Sequence, residues 1–234
     1  MATHLDLEEQ EQLDQLKDFW KRYGNLVTWA LIAVLGAYAA WNGWNWWQRG
    51  QAVKAGAMYD ELDKAVSAGD GERAGRIFAD LKERFPSTAF AEQGALLAAR
   101  AQSDAGRPEA VRATLEWAAE HAVEAEYQTI ARLRLAGLLL DEKKYPEALK
   151  QLDGATAKGF EALVADRRGD VLMAQGQRDA AKAAYASAWR TMDKTLDYRR
   201  LVEAKLTALG AAPETAPAAS SGAPVTSAAS VAAK

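Results

Sequence analysis

Residues 167–189 read RRGDVLMAQGQRDAAKAAYASAW, and their spacing decides how most of the chain is interpreted. Gly169 and Ala181 are small residues twelve positions apart, which allows the two helices of a hairpin to approach closely. Gly176 stands between them, where the hairpin must turn, and glycine makes such turns without steric cost. Tyr185 is large enough to fill the gap to the next helix pair. The stretch therefore predicts two antiparallel helices joined by a tight turn.

The same pattern recurs three times upstream. Equivalent positions, 37, 37 and 33 residues apart, are Ala74, Val111, Ala148 and Ala181. Four residues later stand Phe78, Leu115, Leu152 and Tyr185, and seven residues later Leu81, Ala118, Ala155 and Ala188. Five residues earlier, at the expected turn, stand Gly69, Gly106, Lys143 and Gly176, and twelve earlier Leu62, Ala99, Ala136 and Gly169. These four units resemble tetratricopeptide repeats, whose period is about 34 residues.

The repeats depart from the regular motif in their middle. Val111 replaces alanine in the second unit, Lys143 replaces glycine in the third, and two spacings exceed the usual period. We therefore expect an all-α fold in which a single N-terminal transmembrane helix precedes a tetratricopeptide-like helical-hairpin solenoid with irregular loops. An alanine-rich helical bundle without true repeats is the alternative.

The C-terminal part of the chain divides into a helix and a tail. Residues 195–209 are predicted to form a helix that caps the open end of the repeats. Its expected apolar contacts are Leu196, Leu201, Leu206 and Leu209. Residues 211–234 are rich in Ala, Ser, Pro and Thr, which cannot bury enough apolar surface to fold, so they are predicted to form a flexible tail.

Residues 25–47, NLVTWALIAVLGAYAAWNGWNWW, form the one run long enough to cross a bilayer. Residues 23–48 carry no Asp, Glu, Lys or Arg. Tryptophan prefers the headgroup level of a membrane, and six of the eight tryptophans lie in or beside this run: Trp20, Trp29, Trp41, Trp44, Trp46 and Trp47. We interpret the run as a transmembrane helix, against the alternatives of a buried helix or a signal peptide, which should end in a small-x-small cleavage site.

The cations beside the span predict its orientation. Lys17, Lys21 and Arg22 precede it, whereas Arg49 and Lys54 follow it. Because cytoplasmic flanks are enriched in Lys and Arg, the N-terminus is expected inside the cell and the repeats outside the membrane. The predicted organisation is a cytoplasmic segment at residues 1–22 with a short amphipathic helix, a span at 23–48, a periplasmic repeat domain at 49–210 and the tail.

Composition argues against several classes of function. The 234 residues carry a formal net charge of -3, so no basic surface for nucleic acid is expected. The chain has no cysteine and two histidines, and no phosphate loop, nucleophile elbow or metal-ligand spacing is present. His121 follows a probable helix and is more simply explained as a C-terminal cap than as a catalytic base. We therefore expect no enzyme activity, no cofactor, no metal and no small-molecule substrate.

Two surfaces remain as candidates for binding protein partners. The first helices of the hairpins would line a concave groove, with a mixed apolar and acidic set comprising Tyr59, Asp63, Leu96, Arg100, Leu133, Asp166, Asp170 and Met173. Its acidic end would suit a partner segment bearing Lys or Arg. In the span, small residues that allow close helix docking in lipid form a stripe: Ala33, Gly36, Ala37, Ala40 and Gly43.

Two segments, EQLDQLKDFWKRYGN at residues 11–25 and KGFEALVADRRGDVLMAQGQRDAAKAAYASAW at residues 158–189, resemble the YfgM family of bacterial inner-membrane proteins. The resemblance extends over residues 8–209 and is most specific at Gly159, Phe160, Ala165, Asp166, Arg168, Gly169, Asp170, Gly176 and Ala181. It implies an ancillary subunit of the SecYEG translocon with a cytoplasmic N-terminus. It also implies a periplasmic domain that associates with the membrane-anchored chaperone PpiD and hands over emerging secretory proteins.

Three functional hypotheses follow from these patterns. The first is a membrane-anchored adaptor or co-chaperone of the Sec translocon, whose groove binds a chaperone or an emerging protein. The second is an envelope scaffold that organises cell-wall or outer-membrane assembly enzymes. The third is a regulatory protein with its repeat domain in the cytoplasm.

Overall fold

The computed structural model describes residues 7–212, and within them it contains α-helices and no strand. The helices are α1 (Leu7–Ser67), α2 (Gly71–Arg84), α3 (Ala89–Asp104), α4 (Pro108–His121), α5 (Ala125–Asp141), α6 (Tyr145–Asp153), α7 (Glu161–Ala174), α8 (Arg178–Thr191) and α9 (Tyr198–Ala208). They form two compact units, which divide between Ala105 and Gly106. The first unit contains α1 to α3, and the second contains α4 to α9.

Helix α1 combines elements that the sequence presented as separate. Its 61 residues extend over about 90 Å at 1.5 Å per residue. The N-terminal helix, the span and the first helix of the first repeat are therefore one unbroken helix. No proline precedes Pro86, and Gly36, Gly43 and Gly50 do not interrupt the helix. The composition of the sequence changes at residues 22 and 48, but the helix continues without a break through both positions.

The apolar part of α1 is exposed rather than packed inside the chain. Only 6% of its most apolar stretch is buried, and the exposed fractions of Leu31, Tyr38 and Trp41 are 58%, 67% and 68%. A core helix of a water-soluble domain would bury such side chains. The alternative of a buried helix is therefore wrong, and α1 is long and apolar enough to cross a membrane.

The four predicted turns all adopt the left-handed backbone conformation. Their φ angles are 71° at Gly69, 67° at Gly106, 60° at Lys143 and 79° at Gly176. Lys143 is the only non-glycine residue with positive φ among the described residues. The left-handed turn is therefore kept in the third repeat, although that repeat has lysine where glycine is favoured.

The aligned positions of the repeats are also buried throughout. The anchors are nearly inaccessible, with Val111 the most exposed at 7%. The same holds for the residues four and seven positions later and for those twelve positions earlier. A bundle without repeats would not bury the same set of positions in all four repeats. The prediction of a tetratricopeptide-like, all-α fold is therefore confirmed.

Side chains of α5 bind both helix α6 and the segment that follows it. Helix α6 is short, and the backbone N–H of Ala157 donates to Thr129 Oγ1 at 3.1 Å. The guanidinium of Arg132 donates to the carbonyl oxygen of Ala119 at 2.9 Å and to Gln151 Oε1 at 3.2 Å. Thr129 and Arg132 of α5 therefore connect α4, α6 and the loop that follows α6.

The capping helix begins later and presents a different face than predicted. Helix α9 starts at Tyr198 and buries Val202 and Leu206. Leu196 lies before this helix, and Leu201 lies about 100° around the helix axis from Val202. Both side chains are about half exposed, so the prediction that they supply the apolar contacts of the helix is wrong. Leu209 packs against the core cluster of α8 and α9, as does Ala211. The predicted tail otherwise lies outside the described residues from residue 213 onward.

We predict that Gly169→Ala destabilises the second unit by about 2 kcal/mol. A Cβ atom at Gly169 would lie 2.4 Å from the ring of Tyr185, which is itself buried. Guanidinium unfolding of the full chain in detergent, followed by circular dichroism, measures the change.

The matched control is Gly137→Ala in α5, where a Cβ atom meets its nearest neighbour, Arg167, at 3.9 Å. This change should be neutral or stabilising by up to about 1 kcal/mol, because alanine favours helix more than glycine. Equal stability of the two variants would contradict the proposed close contact.

Candidate functional site

The eight predicted groove residues all lie on the first helices of the hairpins. Tyr59 and Asp63 belong to α1, and Leu96 and Arg100 belong to α3. Leu133 belongs to α5, and α7 carries the other three, Asp166, Asp170 and Met173. They are therefore distributed over both units, and each unit is described by itself.

In the first unit, Asp63 and Arg100 are open to solvent, whereas Tyr59 is partly buried. The ring of Tyr59 packs on that of Phe90 with their centroids 5.7 Å apart. Asp63, one turn further along α1, is exposed. The Arg100 Nε atom lies 4.0 Å from Asp104 Oδ2 in an exposed pair, which contributes little to stability. These charges are accessible to a partner.

The three apolar groove residues are half-buried. Leu96 and Leu133 are partly covered by their own units. Met173 packs against the buried cluster that includes Tyr185 and Leu206. Each therefore retains some apolar surface, although part of it already serves the packing of the repeats.

The two carboxylates of α7 form a cluster with a lysine of α9. The Lys205 Nζ atom donates to Asp166 Oδ1 at 2.8 Å and Oδ2 at 3.0 Å, and to Asp170 Oδ1 at 2.7 Å. Arg167 lies further away, with 3.7 Å between its Nη1 atom and Asp170 Oδ2. The side chain of Asp166 is 3% exposed, and that of Asp170 is 21% exposed. The ammonium group of Lys205 thus donates hydrogen bonds to both carboxylates at once.

Two tyrosines complete this cluster. The hydroxyl of Tyr198 donates to Asp166 Oδ2 at 2.7 Å, and that of Tyr185 donates to Asp170 Oδ1 at 2.8 Å. Burial raises the pKa of both phenols above the ordinary value, and their hydrogen bonds to the carboxylates raise it further. Both tyrosines therefore stay protonated and act as fixed donors.

The acidic end of the predicted groove is therefore not free. A basic side chain was expected there from a partner, and the structure supplies one from the same chain. Leaving the buried carboxylate of Asp166 unpaired would be costly, so the terminal helix neutralises it. Sequence reasoning missed Lys205 and Tyr198, which lie 39 and 32 residues from Asp166 and share no motif with it. The use of the eight residues as a partner surface stays a prediction.

Several residues that carry the family resemblance have structural roles. Gly159 and Gly176 adopt positive φ at the two ends of α7. Gly169 lies against the ring of Tyr185. Arg168 joins α7 to the end of α6, with 2.6 Å between its Nη2 atom and Asp153 Oδ1. The most specific segment therefore builds the last hairpin and holds α9 on it.

The remaining candidates from the sequence are placed as follows. A Cβ atom on Gly36 or Gly43 would meet no other atom within 4 Å, so the small-residue stripe lies on an uncovered part of α1. Its role in docking to another helix stays a prediction. His121 lies in the last turn of α4, where its Nδ1 atom is 3.1 Å from the carbonyl oxygen of Trp117 and its ring stacks on the indole. These contacts give His121 a local structural role.

We predict that Lys205→Met destabilises the second unit by about 3 kcal/mol, because it leaves the carboxylate of Asp166 buried without a cation. Adding Asp166→Asn should restore part of this loss, since a neutral amide can still accept from Tyr198. Guanidinium unfolding of the full chain in detergent gives both values.

Lys194→Met, in the exposed loop between α8 and α9, is the matched control and should change stability by less than about 0.5 kcal/mol. If Lys205→Met and Lys194→Met behaved alike, the cluster would not hold α9 on α7.

Comparison with known proteins gives a consistent family assignment. The model of the tetratricopeptide repeat-like domain family matches residues 17–211. A protein of Neisseria gonorrhoeae named ancillary SecYEG translocon subunit is 31% identical over 212 residues, which cover 89% of this chain and 100% of that protein. Proteins with the same name from Haemophilus influenzae and Escherichia coli are 28% and 26% identical, over 78% and 76% of this chain and 89% and 85% of their own lengths.

No solved structure gives a significant match. The extent of the family match and the identity across the whole Neisseria protein confirm the resemblance drawn from residues 11–25 and 158–189. The chain belongs to the tetratricopeptide repeat-like family that includes these ancillary SecYEG translocon subunits, the YfgM family.

Proposed function

We propose that the chain is a membrane-anchored ancillary subunit of the Sec translocon that acts as an adaptor. The observation that carries this proposal is the similarity to the Neisseria protein of that name over its entire length. The same chain combines an exposed apolar helix with a helical repeat domain, which is the architecture such a subunit needs. A non-catalytic role agrees with this architecture.

The continuity of α1 supports an adaptor that works at a fixed height above the membrane. The helix continues from the span into the first repeat, where Ala55, Leu62 and Ala65 are buried and α1 packs on α2 and α3. A flexible linker would let the domain move freely over many ångströms, whereas a continuous helix does not. The first unit is thereby held next to whichever protein binds the span.

The partner surfaces follow from the exposure of the candidate residues. In the membrane, the stripe of small residues is uncovered and would contact the channel. Outside it, we propose that Tyr59, Asp63, Leu96 and Arg100 bind a membrane-anchored periplasmic chaperone of the PpiD type or an emerging secretory protein. In the second unit, Asp166 and Asp170 are paired with Lys205. A basic partner segment would therefore have to displace that lysine.

We further propose that the chain lies in the bacterial inner membrane with residues 1–22 in the cytoplasm and residues 49–210 in the periplasm. The excess of Lys17, Lys21 and Arg22 over the cations after the span supports this orientation. It also leaves the larger, folded part of the chain on the side where secreted proteins emerge.

Photoreactive residues at Ala37 and Asp63 test the adaptor role. We expect Ala37 to crosslink to channel subunits and Asp63 to crosslink to a chaperone or to emerging proteins. Glu120, which is exposed on the second helix of a hairpin, is the matched control and should give neither product.

The absence of channel adducts from Ala37 would contradict the adaptor proposal. Adducts of Asp63 with cell-wall or outer-membrane assembly enzymes would instead favour the envelope scaffold.

A fusion of alkaline phosphatase after Gly210 tests the orientation. The enzyme is active only where its disulfides form, so we expect activity from the full chain. The same fusion to a chain that lacks residues 23–48 should be inactive. An inactive full-length fusion, with the protein present in the membrane fraction, would reverse the proposed orientation and favour the cytoplasmic regulatory hypothesis.

A further inference from the structure

The first unit contains an open cleft of about 610 Å³ where α1 leaves its uncharged stretch. One wall consists of residues 44–52 of α1, and the other consists of residues 84–90, which join α2 to α3. Both walls belong to the same compact unit. None of the predicted partner-binding residues lines this cleft, so it is separate from the surfaces described above.

The position of the cleft along α1 places it at the boundary between membrane and water. The uncharged stretch ends at Gln48, and Trp44 and Trp47 line the cleft with their ring centroids 5.3 Å apart. Indole rings concentrate at the headgroup level because the ring is sheltered there while its N–H stays hydrated. When α1 spans a bilayer, the cleft therefore opens among the lipid headgroups.

The charge of the cleft is opposite to that of the whole chain. Its lining contains Arg49 and Arg84 and no Asp or Glu, although the formal net charge of the chain is -3. Both arginines are exposed, and neither forms an ion pair with a residue in the part of the chain that the structure describes. A guanidinium group binds phosphate oxygens through two parallel hydrogen bonds. The polar part of the cleft is therefore suited to a phosphate group.

Apart from the arginines, the lining combines uncharged polar residues with apolar ones, most of them aromatic or small. Phe85 and Phe90 face the tryptophans across the cleft, and a Cβ atom on Gly56 would lie 3.2 Å from the Phe90 ring, so this ring lies close against α1. The Thr88 hydroxyl donates to the carbonyl oxygen of Phe85 at 2.8 Å and accepts from the N–H of Ala91 at 3.3 Å. The second wall is thus fixed before any ligand binds, and it offers an apolar surface beside the two cations.

We propose that this cleft binds an anionic phospholipid of the leaflet on the repeat-domain side. The phosphate is held between Arg49 and Arg84, and the glycerol and first methylene groups lie along Trp44, Trp47 and Phe90. The proposal requires that α1 spans the membrane but does not depend on the translocon or on the groove. The bound lipid would fix the loop between α2 and α3 to the membrane surface and set the inclination of the first unit.

Native mass spectrometry of the full chain in detergent tests the proposal with short-chain phosphatidylglycerol and phosphatidylcholine as probes. We expect phosphatidylglycerol to be retained about tenfold more strongly, because both lipids carry the phosphate but phosphatidylcholine also brings a fixed positive charge close to the two arginines, which repel it. The double variant Arg49→Gln with Arg84→Gln should lose this preference, and each single variant should lose part of it. Circular dichroism would verify that the variants are folded.

The matched control is Lys54→Gln, which removes one exposed positive charge from α1 close to the membrane but outside the cleft. It should keep the preference for phosphatidylglycerol. Equal retention of the two lipids, or an equal loss in Lys54→Gln and Arg49→Gln, would overturn the proposal. Displacement of phosphatidylglycerol by millimolar inorganic phosphate would overturn the lipid assignment and show a site for a soluble phosphate.

Discussion

The structure depends on one helix, α1, whose sequence has to suit a lipid bilayer along one part and a folded protein domain along another. Within a bilayer, every backbone polar group must be paired inside the helix, and residues 25–47 provide the apolar side chains for that environment. The same helix continues to Ser67, where Ala55, Leu62 and Ala65 are buried in protein. Since no break separates the two parts, a bilayer that holds residues 25–47, as we propose, would also set the position of the first compact unit. In that arrangement the cleft with Arg49 and Arg84 would lie at the headgroup level.

The repeats themselves rest on the packing of small residues against large ones. Gly169 admits the ring of Tyr185, and in the first unit a Cβ atom on Gly94 would lie 2.8 Å from Leu81 and 3.2 Å from Leu62. The repeats that depart from the regular motif keep this geometry at some cost in backbone strain. Lys143 adopts the left-handed conformation that the turn requires, which costs a non-glycine residue about 1 kcal/mol. Close packing over the rest of the unit offsets such local strain.

The acidic cluster shows that a prediction from repeat position can assign carboxylates to the correct helix and still miss the groups of the same chain that bind them. Asp166 and Asp170 lie on the first helix of the last hairpin, as predicted. Both carboxylates nevertheless accept hydrogen bonds from Lys205 and from two tyrosine hydroxyls of the same chain. Acidic residues on a repeat helix therefore do not by themselves indicate an open binding surface, because the capping helix must also be held.

The sequence by itself determined the helical class, the four turns and the apolar run in α1, because these depend on short-range periodicity, on glycine and on the absence of charge. The tertiary structure alone decided the partner of Asp166, the buried face of α9 with Val202, and the presence of Arg49 and Arg84 in the lining of one cleft. Each of these brings together residues 30 to 40 positions apart, or depends on the rotation of one helix about its axis. No local pattern encodes such contacts, since they arise only when the helices pack.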